Sequence, residues 1–289
     1  MDFNDDVRLD PSQVEVGRGG RGRGVAAGGG VVGVIGLLVA LFFGVDPFGG
    51  QDGQDARQPQ GVQDAGDLRE KCLTGADAER DEDCLVVGVV NSVQNYWEKA
   101  FAEDGLTYAP ARTQLFEGAT QTGCGYATKD VGPFYCPADQ KVYLDLTFFD
   151  ELQSGYGAQG GPAARAYVIG HEYGHHAQNL LGAMSRTRQG ATGASSPAVR
   201  LELQADCYAG VWMHNAVKTG YLAKITQADL DQALSAAQAV GDDRIQQRSQ
   251  GYVQPDSFTH GTSAQRAAWL TTGYSSGDPD RCDTFKGEI

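Results

Sequence analysis

The stretch that most restricts the fold of this chain is the pentapeptide HEYGH at residues 171–175. In an α-helix, side chains four residues apart lie on the same face, so His171 and His175 can bind one metal ion together. Glu172 lies one step round the helix and can face the open side of the metal without binding it. There it could take a proton from a zinc-bound water, whose pKa the metal lowers to about 7. The pattern therefore predicts a helix that carries two zinc ligands, His171 and His175, and a catalytic base, Glu172.

A catalytic zinc ion needs a third protein ligand, and the next predicted helix offers one. Its sequence, PAVRLELQADCYAGVW, places Glu202 and Asp206 four residues apart among apolar residues that can pack on another helix. The gap of 27 residues from His175 to Glu202 suits a helix end, a loop and the start of an antiparallel helix. We predict that Glu202 is the third zinc ligand and that Asp206 accepts a hydrogen bond from a ligand histidine. The alternative is a solvated pair of carboxylates, the usual fate of such residues in isolation.

The chain has five histidines, and those outside the pentapeptide need separate interpretations. His176 lies about 100° round the helix from His175 and cannot share its face, so we expect it to pack or to support the site indirectly. His214 lies two turns past Asp206 and is expected to be structural. His260 precedes the last predicted helix, in SFTHGTSAQR. Peptide hydrolysis creates an oxyanion that a histidine can stabilise, so His260 is a second catalytic candidate; a role in loop structure or capping is the alternative.

Apolar periodicity and capping residues predict an α+β fold, mainly α-helical, with a small antiparallel sheet packed on the helix that carries HEYGH. From Asp81 onward, apolar residues recur at four-residue steps and predict a helix. Short segments before residue 147 have strand character, and residues 142–146 are the clearest strand. This strand also suggests how a substrate binds, because an extended peptide could add to the sheet edge there, above the active-site helix. Four helices are predicted to follow, over residues 162–181 and after the capping residues Ser196, Thr226 and Thr262.

Residues 25–44 are twenty consecutive residues without a charge. As a helix they would extend about 30 Å, the thickness of the hydrocarbon core of a bilayer. Three arginines precede them and acidic residues follow, so the positive-inside rule places residues 1–24 in the cytoplasm. Residues 45–67 are predicted to be a flexible linker, and residues 68–289 an extracytoplasmic domain held at the cell membrane by one transmembrane helix. The alternative is a cleaved signal peptide, and the domain is exported in both cases.

The six cysteines fit an exported domain, because an even number in such a chain suggests disulfides. Sequence proximity favours two pairs and leaves a third: Cys72–Cys84, Cys124–Cys136 and Cys207–Cys282. A buried free thiol at Cys207 is the alternative. A cysteine-ligated zinc site is not expected, since the chain has no C-x2-C pair.

Several segments together resemble a bacterial family of neutral zinc metallopeptidases, which have an N-terminal membrane anchor and one HExxH domain. The segments are GHEYGHHAQ, RLELQADCYAGVW, VGPFYCPADQKVYLDLTFF and PDSFTHGTSAQRAAWL. The sequence ELQAD at residues 202–206 is also similar to the prenyl-protein and heat-shock membrane peptidases, in which that glutamate binds zinc. The resemblance implies a zincin-like fold with a small sheet over the active-site helix. It also implies that His171, His175 and Glu202 bind zinc and that Glu172 is the general base.

Two functions fit these features. The first is a membrane-anchored zinc endopeptidase that hydrolyses peptide or protein substrates, with Glu172 as general base. The second is a non-catalytic, zinc-stabilised envelope protein that binds a partner, although a structural zinc site has no use for a base at Glu172. A di-iron carboxylate bundle would need two Glu-x-x-His motifs, and this chain has only one. The net charge of −14 argues against nucleic acid as a partner, because phosphate binding needs clustered basic residues.

Overall fold

The computed structural model of the chain describes residues 1–17, 66–188 and 190–289. The predicted transmembrane helix, residues 25–44, lies outside these described residues. Among the helices that the structure describes, none is long and apolar enough to cross a membrane.

The described residues form helices and short strands in an α+β arrangement. The helices are α1 (Gly66–Lys71), α2 (Gly75–Ala78), α3 (Glu82–Glu103), α4 (Thr147–Ser154), α5 (Pro162–Leu180), α6 (Pro197–Asn215), α7 (Gln227–Ala239), α8 (Asp242–Gln250) and α9 (Ser263–Ser276). The strands are β1 (Asp2–Phe3), β2 (Val14–Gly17), β3 (Arg112–Phe116), β4 (Ala119–Thr122), β5 (Gly125–Thr128), β6 (Phe134–Cys136), β7 (Lys141–Asp145) and β8 (Leu222–Lys224).

The capping residues predicted from the sequence begin the observed helices. The helix predicted from Asp81 onward is α3, and the Asp81 carboxylate, which was not predicted as a cap, accepts hydrogen bonds from two backbone N–H groups in its first turn. Ser196 accepts one at the start of α6, and Thr226 and Thr262 form the predicted capping boxes of α7 and α9. Each cap satisfies N–H groups that have no partner within the helix, which fixes where the helix begins. The predicted starts of these helices are therefore confirmed.

The main sheet is mixed, so the prediction of an antiparallel sheet was wrong. Its four strands lie in the order β2-β3-β7-β6. β3 pairs in parallel with both β2 and β7, and only β6 and β7 are antiparallel. The strand expected at residues 142–146 is observed as β7, but it is an interior strand with partners on both sides. A peptide cannot add to it, and the edge strands of this sheet are β2 and β6.

Residues 1–17, which the sequence placed in a cytoplasmic tail, are part of the folded domain. β1 pairs with β8, and β2 pairs with β3 over four residues. The backbone N–H of Asp10 donates to the Asn91 side chain, which donates in return to the Asp10 carbonyl oxygen. Three apolar side chains of the segment lie in the main hydrophobic core: Phe3, Leu9 and Val14. Segments that pair in one sheet lie on one side of a membrane, so this pairing conflicts with a single crossing between residues 17 and 66.

Cysteine labelling should therefore place both parts of the chain on the same side of the membrane. Asp6 and Glu98 are exposed, and all six native cysteines are in disulfides. In cells, a membrane-impermeant maleimide should label Asp6→Cys and Glu98→Cys alike, either both before or both after permeabilisation. The unsubstituted chain is the control for background. If one cysteine reacts in intact cells and the other needs permeabilisation, the pairing of residues 1–17 with the domain is contradicted.

The three predicted disulfides are confirmed: Cys72–Cys84, Cys124–Cys136 and Cys207–Cys282. The third joins residues 75 apart in the sequence and ties the C-terminal segment to α6. A link between distant parts of a chain restricts its unfolded states strongly, so this disulfide is expected to stabilise the helical half of the domain.

The helix that carries HEYGH, α5, is packed tightly against α6 and the sheet. A Cβ atom at Gly174 would lie 2.9 Å from the carbonyl oxygen of Ala205 on α6, so only glycine allows the observed approach of the two helices. On another face, the Tyr173 and Thr113 hydroxyls lie 3.0 Å apart and join α5 to β3. This packing brings α6 close enough for its side chains to meet those of α5.

Candidate metal centre

Three potential metal ligands from α5 and α6 converge: His171, His175 and Glu202. The two Nε2 atoms lie 3.1 Å apart. Glu202 places one carboxylate oxygen 3.2 Å from Nε2 of His171 and the other 3.5 Å from Nε2 of His175. Two atoms that bind one zinc ion tetrahedrally at about 2.1 Å are about 3.4 Å apart. The observed spacing therefore fits three ligands of one tetrahedral ion, which keeps a fourth position for water.

The imidazole of His171 is oriented by Asp206, as the sequence predicted for that carboxylate. Nδ1 of His171 lies 2.8 Å from Oδ1 of Asp206. Burial alone would raise the pKa of Asp206, but the Arg266 guanidinium and then His171 hold it below its ordinary value. An ionised carboxylate can only accept, so Nδ1 is the donor, which leaves Nε2 as the ring nitrogen that a metal can bind in exchange for a proton.

Two partners of Asp206 were not found from the sequence. Arg266 on α9 donates from Nε and Nη2 to the two oxygens of Asp206, each at 2.9 Å. Tyr167 donates its hydroxyl hydrogen to Asp206 and accepts from Arg266 at 3.1 Å. The sequence indicated a buried role for Arg266 only through its position on α9. Arg266 shares one face of that helix with Leu270 and Gly273, and all three residues are buried. A charged residue on the buried face of a helix needs a buried partner.

The side chain of Glu172 is buried beside the three ligands. Burial raises its pKa, although His171 and His175 oppose that effect. Among the described residues, the Glu172 carboxylate has no hydrogen-bond partner, and it lines a cavity together with both histidines. A carboxylate with a raised pKa that faces a cavity has the properties of a general base.

The buried charges fit a divalent cation. Arg266 neutralises Asp206, which leaves the carboxylates of Glu172 and Glu202 as the two anions nearest the ligand nitrogens. Burial lowers the pKa of His171, but Asp206 and Glu202 outweigh it and raise that pKa to about 10. His171 therefore holds a proton where a cation can replace it, and cation binding must weaken as the pH falls. One dication would balance both remaining carboxylates.

Comparison with known proteins identifies the family. Residues 4–285 match the family described as "Putative neutral zinc metallopeptidase". This chain belongs to that family. It is 49% identical over 253 residues to "Uncharacterized protein Rv2575" of Mycobacterium tuberculosis strain H37Rv, which covers 85% of each chain. It is 43% identical over 278 residues to "Uncharacterized protein YpfJ" of Escherichia coli strain K12, which covers 94% of this chain and 92% of the relative. No solved structure matches the chain.

The family match explains two features at once. The description of the family implies zinc, and the three converging side chains suit that ion in number and in chemistry. The match also begins at residue 4, so it includes the N-terminal segment that the structure packs into the domain.

The cavity of this metallopeptidase family member opens beside the three ligands. Its polar wall contains Glu172, His260 and Arg266. Most of the remaining wall is apolar, and includes Phe134, Phe148, Tyr156, Val168, Val240 and Ile245. An apolar cavity with a few convergent polar groups is typical of a substrate site.

His260 lines this cavity, but it is not one of the three converging ligands. Its loop is held by Asp242, which accepts hydrogen bonds from the backbone N–H groups of Thr259, His260 and Gly261 at 2.7–2.9 Å. Nδ1 of His260 lies 2.8 Å from the Thr259 hydroxyl. Among the described residues, Nε2 has no hydrogen-bond partner. The loop thus fixes an imidazole at the cavity wall with one nitrogen available.

His176 and His214 lie outside the centre and have structural contacts, as expected. His176 is buried between the Tyr135 hydroxyl, 3.0 Å from Nδ1, and the Ala109 carbonyl oxygen, 2.7 Å from Nε2. Burial lowers its pKa to about 4, so it stays neutral. Nδ1 of His214 lies 2.6 Å from the carbonyl oxygen of Tyr274. Both rings join elements of the fold.

Proposed function

We propose that the protein is a zinc-dependent endopeptidase. His171, His175 and Glu202 bind the metal, and Glu172 is the general base. One observation carries the proposal: three ligand atoms lie within 4.8 Å of one another, beside a cavity that Glu172 also lines. A non-catalytic zinc site is usually closed by four protein ligands and has no base beside it. The open cavity therefore favours catalysis over the binding-module alternative.

The residues of the chain divide the chemistry of peptide hydrolysis between them. Bound zinc supplies a Lewis acid and lowers the pKa of water. Glu172 takes the proton of the attacking water and passes it to the nitrogen of the leaving amine. His260, held at Nδ1 by its loop, donates from Nε2 to the carbonyl oxygen as negative charge develops there. Asp206 keeps His171 in the tautomer that leaves its Nε2 free for the metal.

A peptide is the substrate class that suits this cavity. Phe134 of the edge strand β6 forms part of the cavity wall. An extended peptide paired with β6 would therefore lie beside the three zinc ligands. The apolar wall would take a side chain of that peptide.

We further propose that residues 25–44 attach the protein to the cell membrane. Residues 1–17 and 66–289 lie on one side of it, because they pair in one sheet. The three disulfides favour the outer side, where thiols are oxidised.

Metal removal tests the endopeptidase assignment. Full-length protein purified in detergent should contain about one zinc per chain and should digest casein or a peptide library. Treatment with a chelator should abolish cleavage because the attacking water loses its activation, and added zinc should restore it. Zinc content is measured by atomic absorption and cleavage by mass spectrometry. Protein that holds zinc but cleaves no peptide would support the binding-module alternative instead.

A further inference from the structure

The second histidine ligand is held by two glutamine side chains in series. Nδ1 of His175 lies 2.8 Å from Oε1 of Gln178, one turn later on α5. The Gln178 amide nitrogen donates to the Leu201 carbonyl oxygen at 2.7 Å and to Oε1 of Gln204 at 3.1 Å. The Gln204 amide nitrogen donates in turn to the Cys282 carbonyl oxygen at 2.9 Å. We call Gln178 and Gln204 the glutamine pair.

Two backbone carbonyl oxygens, those of Leu201 and Cys282, fix the orientation of both side-chain amides. A backbone carbonyl oxygen can only accept, so the groups that face Leu201 and Cys282 must be the NH2 groups. The first amide therefore turns its oxygen to His175, and Nδ1 of His175 must carry the hydrogen. Nε2 then presents its lone pair toward His171 and Glu202. Both glutamine side chains are buried, so water does not compete for these hydrogen bonds.

The two histidine ligands are thus supported in different ways. His171 depends on Asp206, an ionised group paired with Arg266 within the centre. His175 depends on neutral amides whose last acceptor, Cys282, belongs to the C-terminal segment. The disulfide to Cys207 holds that segment against α6. The position of His175 therefore depends on a part of the chain that does not touch the centre.

We propose that the glutamine pair positions His175 and sets the affinity of the centre for zinc, with the C-terminal segment as its anchor. The inference rests on the proposed metal site, but it does not depend on peptide cleavage. Groups that hydrogen-bond to a metal-bound histidine typically change metal affinity by about 10–100-fold when they are removed. The amides act through His175 and are positioning residues.

Zinc affinity of the full-length protein, measured by competition with a chromophoric chelator, tests the proposal. Gln178→Leu removes the acceptor of His175 and should weaken zinc binding by about 10–100-fold. Gln204→Leu, and the double variant Cys207→Ala/Cys282→Ala, should weaken it less, because each only loosens the first amide. Asn179→Ala is the matched control, and this variant should bind zinc normally. The Asn179 side chain donates a hydrogen bond to the Tyr135 hydroxyl and does not contact the glutamine pair.

The variant Gln178→Glu separates positioning from simple stabilisation. It keeps an acceptor for His175, so zinc affinity should stay near that of the unsubstituted protein. It also turns a carboxylate toward the Leu201 carbonyl oxygen, so thermal unfolding of the metal-free protein should occur at lower temperature.

Three results would overturn the inference. They are normal zinc affinity in Gln178→Leu, equal losses of affinity in the leucine and glutamate variants, and normal affinity in both Gln204→Leu and the cysteine double variant. If Gln178→Leu does not fold, Gln204→Leu and Gln178→Glu still decide between the outcomes. Failure of the unsubstituted protein to bind zinc would instead contradict the proposed function, so the two failures are distinguishable.

Discussion

The Glu172→Gln variant is expected to keep zinc and to lose about 10²–10⁴-fold in kcat for peptide hydrolysis. Glutamine matches glutamate in shape, but its amide cannot take a proton from water. The three ligand side chains are unchanged, so the zinc content should remain that of the unsubstituted protein. Turnover is measured with a fluorogenic peptide chosen from the library digestion, and zinc is measured on the same preparation.

The pH dependence adds a second readout to this comparison. A general base works only as the carboxylate, so activity should fall as the pH drops through the pKa of Glu172, which burial raises. The residual activity of Glu172→Gln should lack that step. Glu98→Gln, on the exposed face of α3, is the matched control and should behave like the unsubstituted protein. Normal turnover in Glu172→Gln would exclude Glu172 as the general base. Loss of zinc together with loss of activity would assign Glu172 a structural role.

The parts of the fold that could be predicted depend on signals within a few residues of chain. A cap and its partner are three residues apart, and two disulfides each close a loop with a separation of 12 residues. His171 and His175 lie on one helix, so their spacing of four residues is enough to bring both imidazoles together without any tertiary contact. The prediction of Glu202 as a ligand also depended on the antiparallel packing of two consecutive helices. In the structure its carboxylate lies beside both imidazoles.

The parts that could not be predicted depend on contacts between distant segments. β2 is only four residues long, and its partner β3 lies about a hundred residues later, so nothing local indicated a parallel pair. The charged residues around β2 and the apolar segment after it favoured a tail instead. α8 has the sequence DDRIQQRSQ, with a single apolar residue, so hydrophobic periodicity could not reveal it. Gln178 gave no signal because its role depends on carbonyl groups of α6 and the C-terminal segment.

Replacement of Arg266 by methionine should lower the free energy of unfolding by about 3–5 kcal/mol, because Asp206 then stays buried without the guanidinium that binds both of its oxygens. The pair is enclosed: the side chain of Arg266 is 4% exposed and that of Asp206 0%. Arg266 also donates to Tyr167, so its loss disturbs more than one hydrogen bond. Urea unfolding of metal-free protein measures the change in free energy. An m-value different from that of the unsubstituted protein would reveal a departure from two-state behaviour.

The double variant Arg266→Met/Asp206→Leu decides whether the loss comes from an unpaired buried charge. Removing both partners should recover much of the stability, while zinc affinity should fall because His171 loses its acceptor. The pKa of Asp206 is lowered in the folded protein, so the pair stabilises the fold above the ordinary pKa of 3.8, and this stability is lost as the pH falls below that value. The acid-dependent loss should be smaller in Arg266→Met, where only His171 still lowers the pKa of Asp206. If the double variant is as unstable as Arg266→Met, packing of the long arginine side chain, and not its charge, stabilises this part of the molecule.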